Sequence, residues 1–136
     1  MTETDLQRFA SATRSVCAHG FSHLPLAVVP DAAAELRISR QSLRRILGDA
    51  SPVDTMSWPH GKYTPALTRE AFAAGYQCLF TSDQILNLTT AGRPAPVLGR
   101  YEATMADVAD SAGNLCPERL ANALFRLPIA VLREDL

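Results

Sequence analysis

Apolar residues recur along the chain in two ways, at helical spacing and in short uninterrupted runs. The longest helical pattern covers residues 32–47. Its apolar positions are Leu36, Leu43, Ile46 and Leu47. Asp31 can cap the first turn, and Gly48 can supply the left-handed residue that ends the helix. The pattern therefore predicts a helix over 32–47.

Two more helices have recognisable first turns. Thr4 and Gln7 have the spacing of a capping box, with Thr4 as the N-cap. Thr64 can cap a helix whose first residue is Pro65, where the missing N–H has no cost, and Gly75 can end that helix. These signals predict helices after Thr4 and after Thr64.

Four short apolar runs have the length of buried strands: residues 15–18, 53–59, 76–80 and 95–101. Asp83 can cap a short helix over 84–88, and residues 117–127 are typical of a closing helix. Strands that alternate with helices predict parallel β-α units joined by right-handed crossovers. We therefore expect an α/β fold.

The composition is that of a globular domain. Hydrophobic residues make up 47% of the 136 residues, which predicts one domain over 1–136. The net charge of -1 argues against a general nucleic-acid-binding protein. The apolar stretches are too short to cross a membrane, and residues 1–5 lack the basic and apolar regions of a signal peptide, so we expect a cytoplasmic protein. Three cysteines at irregular spacing predict reduced thiols.

The three histidines fall at the ends of predicted strands, where parallel sheets collect their ligand chemistry. His19 and His23 are four residues apart, and two imidazoles at this spacing can share one divalent cation, for which zinc is well suited. Alternatively, both rings could hydrogen-bond to backbone carbonyls in a loop. His60 follows the second predicted strand.

Two further features have plainer explanations. Cys17 lies two residues before His19 and could join a metal site, but a lone cysteine in an apolar run is more often a small core residue. The arginines of the long helix could bind phosphates, although a solvated helix face is the better explanation at this net charge.

Several segments together resemble the polysaccharide deacetylase family. Residues 19–26 resemble its histidine motif, His-x-x-x-His-x-x-Leu, and residues 35–48 resemble the helix that follows. Residues 57–63 are similar to its Tyr-Pro-Tyr-Gly-x-Tyr loop, and residues 71–76 end in the Ala-Gly-Tyr that comes next. With the strand end near Phe80, the resemblance extends over about residues 15–83.

The resemblance implies a partial, distorted β/α barrel with mostly parallel strands. It implies a metal-dependent hydrolase that removes acetyl groups from N-acetylated oligosaccharides or polysaccharides. His19 and His23 would be the metal ligands, and zinc would be the cofactor.

The resemblance also implies roles for the loop at residues 57–63. Pro59 and His60 would shape the floor of the acetyl site, and the backbone N–H of His60 would face the developing oxyanion as the catalytic group. Trp58 and Tyr63 could stack on a sugar ring. Packing against the neighbouring helix is an equally good explanation for Trp58.

The chain also departs from the family. The Asp-Asp pair, which provides the general base and a third metal ligand, is missing before His19, and no histidine follows His60. We therefore expect a truncated domain with weak or no activity. The alternative is a non-catalytic interaction or oligomerisation module. Either way we expect a homo-oligomer, because an open sheet exposes an edge and an apolar face.

Overall fold

The computed structural model describes residues 2–11, 16–48, 52–88 and 96–130, which form a mixed α/β fold. The helices are α1 (Glu3–Ser11), α2 (Ala32–Leu47), α3 (Pro65–Ala73), α4 (Met105–Val108) and α5 (Pro117–Phe125). The strands are β1 (Thr55–Ser57), β2 (Cys78–Phe80), β3 (Leu86–Asn87), β4 (Val97–Leu98) and β5 (Ile129–Ala130). No helix in these ranges is long and apolar enough to cross a membrane.

A small parallel sheet forms the centre of the fold. Its strand order is β1-β2-β4, with Met56 opposite Leu79 and Leu79 opposite Val97. Ala18 adds a single parallel bridge to Met56. These four residues share one face of the sheet, and each is at most 2% exposed. The predicted α/β class with parallel strands is thus confirmed. A second parallel pair joins β3 to β5.

Helices α2 and α3 contribute to the core on that face through Leu36, Leu67 and Ala71. The predicted bounds of α2 are confirmed: Asp31 accepts a hydrogen bond from the backbone nitrogen of Ala34 (2.8 Å), and Gly48 ends the helix. The predicted start of α3 is also confirmed, because the Thr64 hydroxyl accepts from the Leu67 nitrogen and Pro65 begins the helix.

The predicted capping box at Thr4 and Gln7 is wrong. Thr2 and Asp5 form the box instead: the Thr2 nitrogen donates to Asp5 Oδ2 (2.8 Å), and the Asp5 nitrogen donates to Thr2 Oγ1 (3.2 Å). The Gln7 amide is used in a tertiary contact, since it donates to the carbonyl of Ile46 in α2 (2.8 Å). Packing between α1 and α2 therefore decides what Gln7 does.

The apolar runs become shorter strands than predicted. Run 53–59 contributes β1, run 76–80 contributes β2 and run 95–101 contributes β4, while run 15–18 contributes only the bridge at Ala18. Residues 15 and 95 lie outside the described ranges.

The helix predicted over 84–88 is wrong. Residues 86–87 instead form β3, which pairs with β5. The Asp83 carboxylate accepts from the Tyr63 hydroxyl (2.6 Å) rather than capping a helix. Asn87 exchanges two hydrogen bonds with the backbone of Gly99 (2.8 and 2.9 Å), so pairing with distant residues decides this segment. The closing helix begins at Pro117 as predicted and ends earlier, at Phe125.

The second face of the central sheet lies outside the buried core. Cys17, expected to be a small core residue, is exposed. Strand alternation points its side chain away from the face that Ala18 shares with the core. Phe80 and Leu98, which are paired on this second face, are only partly buried.

Candidate functional site

The C-terminal ends of the strands bring the three histidines together. His19 follows the bridge at Ala18, and His60 follows β1. The ring centroids of His19 and His23 lie 5.0 Å apart, and those of His23 and His60 lie 5.1 Å apart. All three side chains are exposed, so the cluster is open to solvent ligands.

Two of the rings are oriented by backbone carbonyls. Nδ1 of His19 lies 2.8 Å from the carbonyl oxygen of Ser57, and Nε2 of His60 lies 3.2 Å from the carbonyl oxygen of His23. A carbonyl oxygen only accepts, so each of these ring nitrogens carries the proton in the neutral imidazole. The lone pairs are then on Nε2 of His19 and Nδ1 of His60. The two explanations left open for the histidines are therefore compatible at His19, where one nitrogen is anchored and the other can bind a cation.

Helix α2 holds the loop between His19 and His23. Oε1 of Glu35 accepts hydrogen bonds from the backbone nitrogens of Phe21 (2.9 Å) and Ser22 (2.5 Å) and from the Ser22 hydroxyl (2.7 Å). The hydrogen bonds from Ser22 and Phe21 lower the pKa of Glu35, because they favour the carboxylate. The histidine loop is therefore attached to a regular helix rather than to another loop.

Sequence reasoning missed the role of Glu35. Its only sequence signal is that it is the sole acidic residue in a helix rich in arginine. The buried Ser39 adds a second attachment one turn later, since its hydroxyl donates to the carbonyl of Gly20 (3.0 Å).

The backbone around the histidines adopts conformations that L-residues rarely occupy. His23 has φ of 63° and His60 has φ of 55°. Left-handed backbone at such residues costs about 1–2 kcal/mol and persists where the surrounding contacts impose it. The Glu35 anchor and the His60–His23 hydrogen bond are such contacts.

Pro59 supports the loop from inside the protein. It is fully buried, and a Cβ added to Gly20 would lie 3.0 Å from Pro59 Cγ. Gly20 has φ of 74°, so this position combines a left-handed backbone with a close approach. Pro59 was expected to shape the floor of the acetyl site, and the structure places it fully buried beneath the histidine loop.

Trp58 does not present the sugar platform that the sequence suggested. Its side chain is fully buried and stacks on Tyr63, with ring centroids 5.8 Å apart and an interplanar angle of 20°. Protein therefore covers the Trp58 ring, and the residue stacked on it is Tyr63, which lies outside the helices.

Tyr63 is half-buried, and its hydroxyl donates to Asp83. Burial, followed by the neighbouring Asp83 carboxylate, raises the pKa of Tyr63 to about 12. The phenol therefore stays neutral as a donor, and its hydrogen bond joins the segment after the 3₁₀ turn Pro59–Gly61 to the loop after β2.

The spacing of His19 and His23 fits a shared metal ion. Zinc–nitrogen distances of about 2.0–2.1 Å and tetrahedral angles hold two ligating imidazole centroids about 5 Å apart. The observed separation of 5.0 Å agrees with this value. Within the described ranges, no group of three or more His, Cys, Asp or Glu side chains is placed to hold a metal ion. Within those ranges the two rings therefore have the separation of a ligand pair, without a group of three side chains that could hold a metal ion.

Chemically, the site offers paired imidazoles with solvent access and a rigid loop that holds them. Comparison with known proteins adds no assignment: no protein-family model and no curated protein matches this chain.

Proposed function

We propose that the chain is a metal-dependent hydrolase domain similar to polysaccharide deacetylases, acting on the N-acetyl groups of sugars. His19 and His23 would hold the divalent cation, with zinc as the metal. The observation that supports this most is the 5.0 Å spacing of the two rings, with Nδ1 of His19 anchored on the Ser57 carbonyl. An anchored imidazole is the usual arrangement for a metal ligand, since it orients the ring and raises its basicity.

A zinc ion bound there would supply Lewis-acid polarisation of the acetamide carbonyl. The contribution of the chain itself would come from the backbone of His60, whose N–H donates to no backbone acceptor among the described residues. A donor aimed at a developing oxyanion is worth about 10²–10³ in kcat. The left-handed backbone at His60 would fix the direction of this N–H.

We further propose that the architecture is a partial, distorted β/α barrel. Its support is the parallel order β1-β2-β4, with α2 and α3 contributing to the core on one face. The second face, which carries Phe80 and Leu98, would correspond to the barrel interior.

We expect weak or no turnover. A general base contributes about 10²–10⁴ in rate, and among the described residues no Asp or Glu joins the histidines in a group of three that could hold a metal ion. Binding of the cation is therefore the property to measure first.

The test is the zinc content of the purified chain, measured as moles of metal per mole of protein. We expect the parent to bind zinc, and we expect His19→Ala and His23→Ala to lose it. Gln41→Ala, an exposed change on α2, is the matched control and should bind like the parent. Acetate release from chitooligosaccharides with added zinc then measures activity. A folded parent that binds no zinc would exclude the proposal.

A second candidate function, a non-catalytic module that associates with another copy, is favoured by the second face of the sheet. Cys17 is exposed there, and Phe80 and Leu98 are only partly covered. Sedimentation velocity should then show a dimer, and Leu98→Glu should shift it towards monomer while circular dichroism reports whether the fold is kept. A folded parent that sediments only as a monomer would rule this candidate out.

A further inference from the structure

We propose that a hollow between α2 and α3 binds a free α-amino acid with an aliphatic side chain. This α2–α3 hollow has a volume of about 360 Å³, inside the range of about 300–1,000 Å³ that is usual for small-molecule sites. Its lining comes from the beginning of α2 and the end of α3: Asp31, Ala33, Arg37, Glu70, Ala73 and Ala74. These six residues do not include those of the histidine site, so the inference goes beyond the proposed function.

The carboxylates of the α2–α3 hollow offer acceptors for an ammonium group. Oε2 of Glu70 is buried and has no hydrogen-bond partner in the part of the chain that the structure describes. Asp31 uses Oδ1 to cap α2, which leaves its Oδ2 without a partner in the same part of the chain. A buried carboxylate oxygen without a donor is destabilising, and an ammonium group supplies three donors and a positive charge. A ligand with a primary amino group would therefore satisfy acceptors that the protein leaves open.

The C-terminal end of α3 adds a carbonyl acceptor. In a longer helix the backbone nitrogen of Gln77 would donate to the Ala73 carbonyl, but it donates to the Asp54 carbonyl instead (2.7 Å). The Tyr76 nitrogen donates to the Ala71 carbonyl (3.2 Å), so it is not available to Ala73 either. Open carbonyl groups at the C-terminal end of a helix carry partial negative charge, which favours a cation. The end of α3 therefore acts in the same direction as the two carboxylates.

Arg37 supplies the opposite charge. Its Nε donates to the Ala33 carbonyl one turn earlier in α2 (3.3 Å), and its terminal amino groups have no partner among the described residues. Within those residues it forms no ion pair with Glu70 or Asp31. A guanidinium held through Nε presents its terminal amino groups as a planar fork that matches a carboxylate. The hollow therefore keeps a cation and two carboxylates unpaired, and a zwitterion would pair with both.

The rest of the lining is apolar. The side chains of Ala33, Ala73 and Ala74 are methyl groups, which favour contact with an aliphatic group over contact with water. Ligands with one charge fit less well, because Arg37 would repel a simple amine and the two carboxylates would repel a simple carboxylate. An amino group, a carboxylate and a short aliphatic group occur together in an aliphatic α-amino acid, for which L-leucine is the probe.

The experiment is an NMR titration of the full chain with L-leucine and with two analogues that each lack one charge. Isopentylamine lacks the carboxylate, and 4-methylpentanoate lacks the amino group. We expect the parent to bind L-leucine at least about tenfold more tightly than either analogue, the effect of one charged hydrogen-bonding contact. Weaker discrimination against either analogue would overturn the proposal, and so would a folded parent that binds none of the three.

Four variants assign the binding to the α2–α3 hollow, with circular dichroism reporting the fold of each. Glu70→Gln and Arg37→Gln should each weaken L-leucine binding by about tenfold, and Ala73→Leu should abolish it by filling the hollow. Arg69→Gln, an exposed change on α3, is the matched control and should bind like the parent. Folded hollow variants that bind as tightly as the parent would also overturn the site. The zinc content of the chain does not enter this test, so the hollow and the proposed function can fail separately.

Discussion

Oε1 of Glu35 lies 2.5 Å from the backbone nitrogen of Ser22 and 2.7 Å from the Ser22 hydroxyl oxygen. This contact connects a regular helix to the loop that carries His19 and His23. Hydrogen bonds to a charged acceptor are stronger than neutral ones, so a single carboxylate can fix the loop. The geometry of the candidate metal site therefore depends on a residue that does not belong to the histidine pair.

Removal of this carboxylate should loosen the metal site. We expect Glu35→Ala to weaken zinc binding by about 10–100-fold, the usual loss when a group that orients metal ligands is removed. Competition with a chromophoric chelator measures the affinity. Glu3→Ala removes an exposed carboxylate on α1 and is the control. Unchanged zinc affinity in folded Glu35→Ala would show that the loop keeps its shape without the anchor.

Protonation of Glu35 in acid should weaken the hydrogen bonds that hold the histidine loop to α2. The pKa of Glu35 is lowered from its ordinary value of 4.5, so its contribution to stability is present above that value and is lost as the pH falls through the lowered pKa. The backbone amide signals of Phe21 and Ser22 in NMR spectra should shift together in this acidic range. In Glu35→Gln the shift should disappear; its persistence would assign the transition to another group.

Alanine variants at Gly20 and Gly48 distinguish the energetic cost of backbone strain from the cost of a steric contact. Both have positive φ, 74° and 77°, but only Gly20 has a neighbour where a Cβ would lie. We expect Gly48→Ala to cost about 1–3 kcal/mol through strain alone, because φ of 77° with ψ of 175° is a backbone conformation that essentially only glycine adopts. Gly20→Ala should cost about 1–3 kcal/mol more, because Pro59 must move. Urea unfolding of both variants measures the difference, and equal losses would contradict the proposed contact.

Trp58 contributes through its volume and not through its indole N–H. Nε1 is buried, and no partner for it is found in the part of the chain that the structure describes. Trp58→Ala should therefore lower the free energy of unfolding by about 3–5 kcal/mol. Trp58→Phe should lose only about 1 kcal/mol, since the smaller ring also removes an unsatisfied donor. Chemical denaturation compares the two; similar losses would mean that the N–H has a partner.

Tyr63 should make the fold sensitive to alkali. Its pKa is raised from 10.0 to about 12, so the folded chain keeps the phenolic proton after the unfolded chain has lost it. Stability should therefore fall as the pH rises from about 10 to about 12. Absorbance at the tyrosinate band follows the ionisation. Burial also raises the pKa of Tyr76, so Tyr63→Phe should remove one tyrosine from the late ionisation and leave that of Tyr76. An unchanged alkaline titration in folded Tyr63→Phe would contradict the assignment to Tyr63.

Local sequence signals predicted the helix ends correctly where the capping hydrogen bond joins residues that are close in the chain. Asp31 caps α2 within one turn, and Thr64 with Pro65 begins α3 in the same way. The signals failed where distant residues compete for the same side chain. The Gln7 amide donates to the carbonyl of Ile46, and the Asp83 carboxylate accepts from the Tyr63 hydroxyl. Neither side chain therefore forms the cap that its spacing predicted.

The same division applies to the candidate site. The sequence by itself determined the α/β class, the long helix and the four-residue spacing of His19 and His23, because periodicity, caps and strand ends are properties of adjacent residues. Only the tertiary structure decided that His60 joins the pair, that Glu35 holds the loop and that Trp58 is buried. These outcomes depend on contacts between residues 13 to 37 positions apart, which form only when the strand ends and α2 come together in space.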